Sequence, residues 1–343
     1  MRVAQIMLAR GFGGAERSFF DLTNELANSG HKVMVILDSR SVLFPRFENN
    51  KRVLTVPLRC HGAWDLLAQN KIKRSLENFG AEIMHAHLAR SACIGGKAAR
   101  ALCITSVVKT HNLVNLKYYK SIDHFVPTTN AQVEYLLNNG IKEKYITKIP
   151  NFTRLDPVVS VAIQDQREPF VIRAVGRLVR KKGFDILISA MKVVREKKIS
   201  VRLELGGTGP EYKKLIKQVA TNNLQEAVTF CGWIEDVQSF VNGADLFVVP
   251  SREEPFGIVV LESMASGVPI IVSRTQGPLE ILTDEMGYFC ELDSPLSMAE
   301  KIVEALSSSD RWHKAQVALE KLKTTYTPVQ VVRQYERLYE RLI

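Results

Sequence analysis

The stretch Ser251-Arg252-Glu253-Glu254-Pro255-Phe256-Gly257-Ile258-Val259-Val260-Leu261-Glu262 decides how this chain is read. It follows a strand-like run, Asp245 to Pro250, and opens into a helix-like run, Ile258 to Ser266. Strand, Gly/Pro loop and helix in that order form the repeating unit of a parallel α/β sheet. Glu254 then stands on the loop, and Glu262 lies about a turn into the helix. A helix start leaves backbone N–H groups without helical partners and carries roughly half a positive charge, so it favours anions. Two acids beside an anion cradle make little sense as packing. They suit a ligand with phosphate at one end and hydroxyls at the other, a nucleotide sugar.

Outward from that stretch, both halves alternate buried strands with amphipathic helices. First-half strands are expected at Val3–Leu8, Lys32–Leu37, Arg52–Pro57, Glu82–Ala86, Thr105–Lys109 and His124–Pro127, with helices including Ala15–Asn28 and Trp64–Phe79. The second half restarts at Phe170–Val175 and continues with strands near Ser200–Leu205, Ala227–Cys231, Leu246–Val249 and Pro269–Val272. Pro150 to Pro169 is polar and turn-rich, which places a linker there. The expected fold class is α/β: two Rossmann-like domains, residues 1–160 and 161–328, followed by a final helix over 329–343. Two open sheets should offer their ligand crevice between them, at the strand C-termini.

Composition narrows the function classes. The chain has 343 residues, is 46% hydrophobic and 24% charged, and carries a net charge of +10, as a folded two-domain protein would. No apolar run approaches the roughly 20 residues that span a bilayer, and the apolar N-terminus reads as a buried first strand rather than a cleaved signal. The five cysteines are odd in number and scattered, which argues against a disulfide framework or a zinc site and fits buried small hydrophobes in a reducing cytoplasm. Up to Ser160 there are 22 Lys and Arg against 12 Asp and Glu; after it there are 24 of each. The basic first half therefore suits an anionic partner, such as the inner face of a membrane, with a merely solvated basic surface as the alternative. Nucleic acid is not expected, because no interleaved aromatics or recognised module accompany the charge.

Three further segments point to the same crevice. Gly11-Phe12-Gly13-Gly14-Ala15-Glu16-Arg17 joins the first strand to the first helix, and its glycines allow close backbone approach to a phosphate. It lacks the full dinucleotide fingerprint, and Asp38 is the nearest acid to the end of the second strand, so a nicotinamide-cofactor reading is weak. Val175-Gly176-Arg177-Leu178-Val179-Arg180-Lys181-Lys182-Gly183 puts a planar bidentate donor, Arg177, and a compact charge, Lys182, at a strand end; together they suit a diphosphate. Gly206-Gly207-Thr208-Gly209-Pro210-Glu211 repeats that geometry, with a tight turn as the plain alternative.

These motifs resemble the retaining, nucleotide-sugar-dependent glycosyltransferases of family four, also called group one. The resemblance rests on Gly-Gly-Ala-Glu-Arg, Gly-Arg…Lys-Gly, Gly-x-Gly-Pro-Glu, Ala-Asp-Leu-Phe-Val-Val-Pro-Ser, Glu-x7-Glu and Met-Ala-Ser-Gly-Val-Pro in order over nearly the whole chain. It implies the GT-B architecture, with the donor mainly on the second domain, the acceptor mainly on the first, and the final helix crossing back to the first. It implies that Arg177 and Lys182 hold the donor diphosphate and stabilise departing charge, and that Glu262 accepts from ribose hydroxyls. Glu254 would contact the donor sugar, with the Phe256, Gly257, Ile258 and Val259 backbone against sugar and phosphate. Gly13 and Gly14 would approach the diphosphate, and the base would lie near Gly207 and Ile234. His87 would face the reacting centre, with His111 a second acceptor-side candidate; for each, a satisfied role at a strand end is the other reading. One departure is Pro278 in Gln276-Gly277-Pro278-Leu279-Glu280, which removes a backbone donor that relatives supply with glycine.

The expected reaction is transfer of a sugar from a nucleotide diphosphate, a UDP-sugar ahead of a GDP-sugar, to a hydroxyl of a lipid-linked or oligosaccharide acceptor. The chain has no Asp-x-Asp, so neither metal nor cofactor is expected. The rivals are an epimerase-type sugar-nucleotide enzyme on the same fold and a non-catalytic sugar-nucleotide-binding protein.

Overall fold

The computed structural model describes residues 1–48, 50–161 and 168–343. They form two compact units, Met1–Phe152 with Pro328–Ile343, and Thr153–Thr327.

In the first unit the elements run β1 (Arg2–Met7), α1 (Gly14–Asn28), β2 (Lys32–Asp38), α2 (Phe44–Glu48), β3 (Val53–Leu58), α3 (Leu66–Phe79), β4 (Ile83–His87), α4 (Leu88–Arg100), β5 (Thr105–Thr110), β6 (His124–Pro127) and α5 (Asn130–Asn138). The second unit runs β7 (Phe170–Val175), α6 (Phe184–Glu196), β8 (Val201–Gly206), α7 (Tyr212–Thr221), β9 (Val228–Gly232), α8 (Val237–Val241), β10 (Leu246–Val249), α9 (Ile258–Ala265), β11 (Ile270–Ser273), α10 (Gln276–Ile281), β12 (Tyr288–Cys290), α11 (Pro295–Ser307) and α12 (Asp310–Thr325). The last helix, α13 (Pro328–Leu342), returns to the first unit.

Each unit carries a six-stranded sheet, ordered β3-β2-β1-β4-β5-β6 and β12-β11-β10-β7-β8-β9, with every pairing parallel. The strand order reverses beside β1 and β4 in one unit and beside β7 and β10 in the other. Such a switch point opens a crevice at the strand C-termini, because the two following helices leave on opposite faces. The strands read as continuous apolar runs because both faces are covered; β2 is buried from Val33 to Asp38.

The helices follow their apolar periodicity. α1 turns Phe19, Leu22 and Leu26 inward, and α13 turns Val331, Val332, Tyr335, Leu338 and Tyr339 against the same core. Its outer face keeps Arg333, Arg337 and Arg341 in solvent. α3 begins at Leu66 rather than Trp64, because the Asp65 carboxylate accepts from Ala68 N at 2.9 Å and caps the helix there.

Several expectations need correction. The boundary between the units falls after Phe152 rather than at 160, and Pro328 opens the final helix. The reason lies in the hydrogen bonds of Thr153–Val161: Thr153 N to Tyr326 O, Val158 N to Ala265 O at 2.9 Å, and Val161 N to the Gln316 side chain at 3.0 Å. The middle of the expected linker, residues 162–167, lies outside the described residues. α2, α10 and β12 went unforeseen, being too short for a periodic signal. Cys60 and Cys290 are buried small hydrophobes as expected, but Cys103 and Cys231 are exposed and Cys93 is half-buried.

Candidate active site

At the switch point of the second unit, the loops after β7, β8 and β10 lie against one another. Leu178 N donates to Thr208 O at 2.8 Å and Glu211 N to Leu178 O at 3.0 Å, tying the Arg177 loop to the Gly207 loop. Arg252 N donates to Lys181 O at 2.8 Å, tying it to the acidic loop. Gly183 locks the junction: its φ is +68°, and a Cβ there would lie 1.9 Å from Pro250 O. Any side chain at 183 would force the loops after β7 and β10 apart.

Lys182 Nζ lies 2.5 Å from Glu254 Oε2, and Ser251 Oγ donates to the same oxygen at 3.1 Å. Glu254 is 8% exposed. A pair this buried gives up much of its hydration and brings little net stability compared with an apolar pair of the same size. The pair stands beside a helix start: a Cβ on Gly257 would lie 3.1 Å from Glu254 Cγ. α9 begins at Gly257 with no side-chain cap, so the Ile258 and Val259 N–H groups face no competing carboxylate or hydroxyl of the cap residue. Glu262 follows within α9 and is buried, as are Phe256 and Gly257. Arg177 is exposed on the loop after β7, Gly207 follows β8, and the Ile234 side chain packs over Gly206.

The Pro278 loop turns out to be a short helix whose first turn needs no donor from Pro278. Gly277 N donates to Glu254 O at 2.8 Å, and a Cβ on Gly277 would fall 2.0 Å from Phe256 O. Gly277 is therefore the close-approach residue that seats the acidic loop.

A clamp that sequence reasoning missed sits behind this group. The Arg252 guanidinium binds Asp185 through both terminal nitrogens, at 2.7 and 2.8 Å, and reaches Arg180 O at 2.9 Å and Asp293 at 2.7 Å. Burial pushes Asp185 up, but the Arg252 hydrogen bonds outweigh it and hold the carboxyl below its usual range. One arginine thus fixes the Lys181–Lys182 turn from the rear.

In the first unit, Gly13 caps α1 and Gly14 opens it, at the C-terminal side of β1. Asp38, at the end of β2, accepts from Arg40 at 2.7 and 2.8 Å and from Arg10 at 3.2 Å. Burial raises its pKa, and the Arg40 and Arg10 hydrogen bonds drive it well below the carboxylate range. Its oxygens are occupied by the Arg40 and Arg10 guanidinium groups.

His87 and His111 meet at the C-terminal ends of β4 and β5, His87 Nδ1 lying 3.0 Å from His111 Nε2. His87 is fully buried and its Nε2 lies 2.9 Å from Gln5 Oε1; His111 is half-buried. Leu88, next to His87, has φ +67°, a strained backbone for a branched residue at the start of α4. Behind them lie His85, Gln5, Lys109, Tyr335 and Tyr339, all buried and all missed from sequence except as strand or helix members. The signal was present: Gln5, His85 and Lys109 each interrupt an apolar strand. Burial lowers the pKa of all three histidines, that of His111 to about 3, with Lys109 adding to the effect.

Two doubly wound units, with a cation–carboxylate pair at one switch point and a histidine cluster at the C-terminal strand ends of the other, define a two-unit α/β protein. The chain belongs to the group 1, family 4 glycosyltransferases: the model for "Glycosyl transferases group 1" matches residues 161–321 and that for "Glycosyltransferase Family 4" residues 12–156. It is 30% identical over 276 residues to the lipopolysaccharide core biosynthesis glycosyltransferase LpsD of Rhizobium meliloti, covering 80% of this chain and 78% of that protein. LpsE of the same organism, also named for lipopolysaccharide core biosynthesis, is 28% identical over 301 residues, covering 87% and 86%. Among solved structures, Anabaena HepE in complex with UDP superposes with a TM-score of 0.87 at 17% identity over all of both chains, which establishes the GT-B fold.

Proposed function

We propose that this glycosyltransferase moves a sugar from a nucleotide diphosphate to an acceptor hydroxyl with retention of anomeric configuration and without a metal. The observation that carries the reading is the Lys182–Glu254 pair set beside the start of α9 by the loops after β7 and β10. As the diphosphate leaves, negative charge grows on its oxygens. Lys182, Arg177 and the α9 N–H groups are preorganised donors for that charge, and such groups need no reorganisation during reaction. Glu254 holds Lys182 in place and would offer its carboxylate to sugar hydroxyls; Glu262 would take the ribose. Gly207 and Ile234 would approach the base. A UDP-sugar is the favoured donor, in keeping with the UDP bound to HepE.

The acceptor we propose is lipid-linked or an oligosaccharide, in cell-surface polysaccharide, lipopolysaccharide or glycolipid synthesis, as the names of LpsD and LpsE suggest. Incubation with UDP-sugars and a bacterial lipid extract should yield labelled lipid whose new linkage keeps the donor's anomeric configuration by NMR. An inverted linkage would refute retention, and sugar epimerisation without transfer would favour the epimerase-type reading.

A membrane contact has its own support. Trp64, Leu66 and Leu67 are 87%, 69% and 84% exposed within four residues, and Leu67 shares a face of α3 with Lys71 and Arg74. Exposed Trp and Leu beside cations suit the headgroup region of an anionic bilayer. No helix among the described residues is long and apolar enough to cross a membrane, so the contact would be peripheral. Liposomes containing phosphatidylglycerol should retain the protein at low salt, and much less above 0.5 M salt or in Trp64→Ser. Equal retention by neutral liposomes would refute the charge component.

A further inference from the structure

Three arginines converge at one end of the first sheet, and the chemistry above uses none of them. The sheet order sets β2, β1 and β4 side by side, so their C-terminal exits are neighbours. Arg40 follows the end of β2, Arg10 follows the end of β1, and Arg90 lies in the first turn of α4, directly after β4. The exits are tied together: Val42 N donates to Arg10 O at 3.2 Å, and Leu8 N to Ser91 Oγ at 3.0 Å. Arg10 Nη2 and Arg40 Nη2 both donate to Cys60 O, at 3.2 and 3.0 Å, in the loop after β3. Arg90 Nη1 donates to Leu8 O at 3.4 Å. Burial pushes the Cys60 thiol up, and the Gly62 hydrogen bond and the Arg90 charge oppose it, so Arg90 stands near the same loop.

The charges around this loop do not cancel. Asp38 is fully buried, and its two oxygens take the Arg40 fork at 2.8 and 2.7 Å, a bidentate pair that needs no second cation. Arg10 adds a further contact at 3.2 Å. The other acid that acts on Cys60, Asp65, already accepts from His61 N and Ala68 N at 2.9 Å each. Three guanidinium groups therefore stand against two carboxylates, both engaged. A guanidinium carries five N–H groups. Among the described residues Arg10 spends two of them, on Asp38 and Cys60 O, and Arg90 spends one. The others can be reached from solvent, because the Arg10 side chain is 46% exposed and Arg90 is exposed. Asp38 and the Cys60 and Leu8 carbonyls hold these planar donors in place, which lowers the ordering cost of binding an oxyanion.

We propose that Arg10 and Arg90 bind an oxyanion borne by the acceptor, a carboxylate or phosphate on its sugar chain, with Asp38 and Arg40 as positioning residues behind Arg10. The inference rests on the transfer reaction proposed above, and it narrows the acceptor from any hydroxyl-bearing glycan to an acidic one. Forked, planar donors match either oxyanion. A neutral sugar would gain nothing from the surplus charge.

Two measurements on the full chain test this. In the first, with UDP held at saturation, NMR titrations compare glucose 6-phosphate, methyl glucuronide and methyl glucoside. At least one anionic probe should bind about tenfold or more tightly than the neutral glucoside, and about tenfold more weakly in Arg10→Gln and in Arg90→Gln. The tighter of the two anions assigns phosphate or carboxylate. Equal binding of all three probes, or anionic binding that neither variant weakens, overturns the proposal. Arg90 has one long hydrogen bond among the described residues, so Arg90→Gln keeps the test open if Arg10→Gln does not fold. The second measurement follows transfer from UDP-sugars to a detergent-solubilised bacterial lipid extract. Both variants should raise the acceptor KM about tenfold and lower kcat much less, with UDP affinity within about twofold. An unchanged acceptor KM, with lost retention on phosphatidylglycerol liposomes, would make the arginines a headgroup contact and overturn the acceptor assignment. Absence of transfer in the native protein, with the anionic probes bound as described, would instead refute the transfer reading and leave only an oxyanion site.

Discussion

Arg177→Ala should lower kcat roughly tenfold to a hundredfold while raising donor KM much less, and Lys182→Ala should do the same or more. A hydrogen bond to a charged group is worth about 1.5–3 kcal/mol. If it reaches full strength only as the diphosphate departs, its loss falls on turnover at about tenfold per 1.4 kcal/mol. Arg177 gives the cleaner test. It is exposed on its loop, so removing it costs the fold little and the rate effect is not confounded by unfolding. Lys182→Ala also strands the Glu254 carboxylate, which keeps only Ser251 Oγ at 3.1 Å among its described side-chain partners. Steady-state kinetics with saturating donor separates the outcomes. A variant with normal kcat and raised KM would make Arg177 a ground-state binder only.

Lys109→Met should stabilise the protein at pH 6 and lose that advantage by about pH 10. Lys109 is 1% exposed, and burial pushes its pKa down to about 7. In the unfolded chain the same lysine holds its proton up to about pH 10.4. Between these values the unfolded state binds more protons, so this residue's contribution to stability rises with pH through that window. Below about pH 7 both states are protonated and the full cost of the buried ammonium is present, on the order of 3–5 kcal/mol. Removing the lysine leaves the Tyr335 hydroxyl without its donor, a loss of about 1–3 kcal/mol. The net gain should therefore be about 1–3 kcal/mol at pH 6 and zero or negative near pH 10. Urea unfolding of both proteins across that range measures it, and a difference independent of pH would show that Lys109 does not titrate in this window.

The parts of this molecule that were legible in the sequence are those where one local signal carries the information. Strands such as Phe170–Val175 and Leu246–Val249 were readable as apolar runs because both faces of a parallel sheet are covered. The loops bearing Arg177, Lys182 and Glu254 were readable because glycine, proline and charge punctuate strand–helix junctions. β12 has three residues and α10 six, too few for periodicity to show. The roles of Arg252, Gln5 and Tyr339 depend on partners far away in sequence: Arg252 meets Asp185 and Asp293, and Tyr339 meets His85. No spacing rule reports such pairs, because only the folded sheet order brings them together. Gly277 shows the same limit; the reason for a glycine there is the Phe256 carbonyl, twenty-one residues earlier in the chain.

The central claim is that the loops after β7, β8 and β10 grip the diphosphate of a nucleotide sugar. Calorimetric titration of the native protein with UDP and with uridine tests it most directly. The account predicts saturable binding of UDP at least about a hundredfold tighter than uridine, because the diphosphate meets Arg177, Lys182 and the start of α9. Uridine binding as tightly as UDP, or no binding of any nucleoside diphosphate, would contradict it.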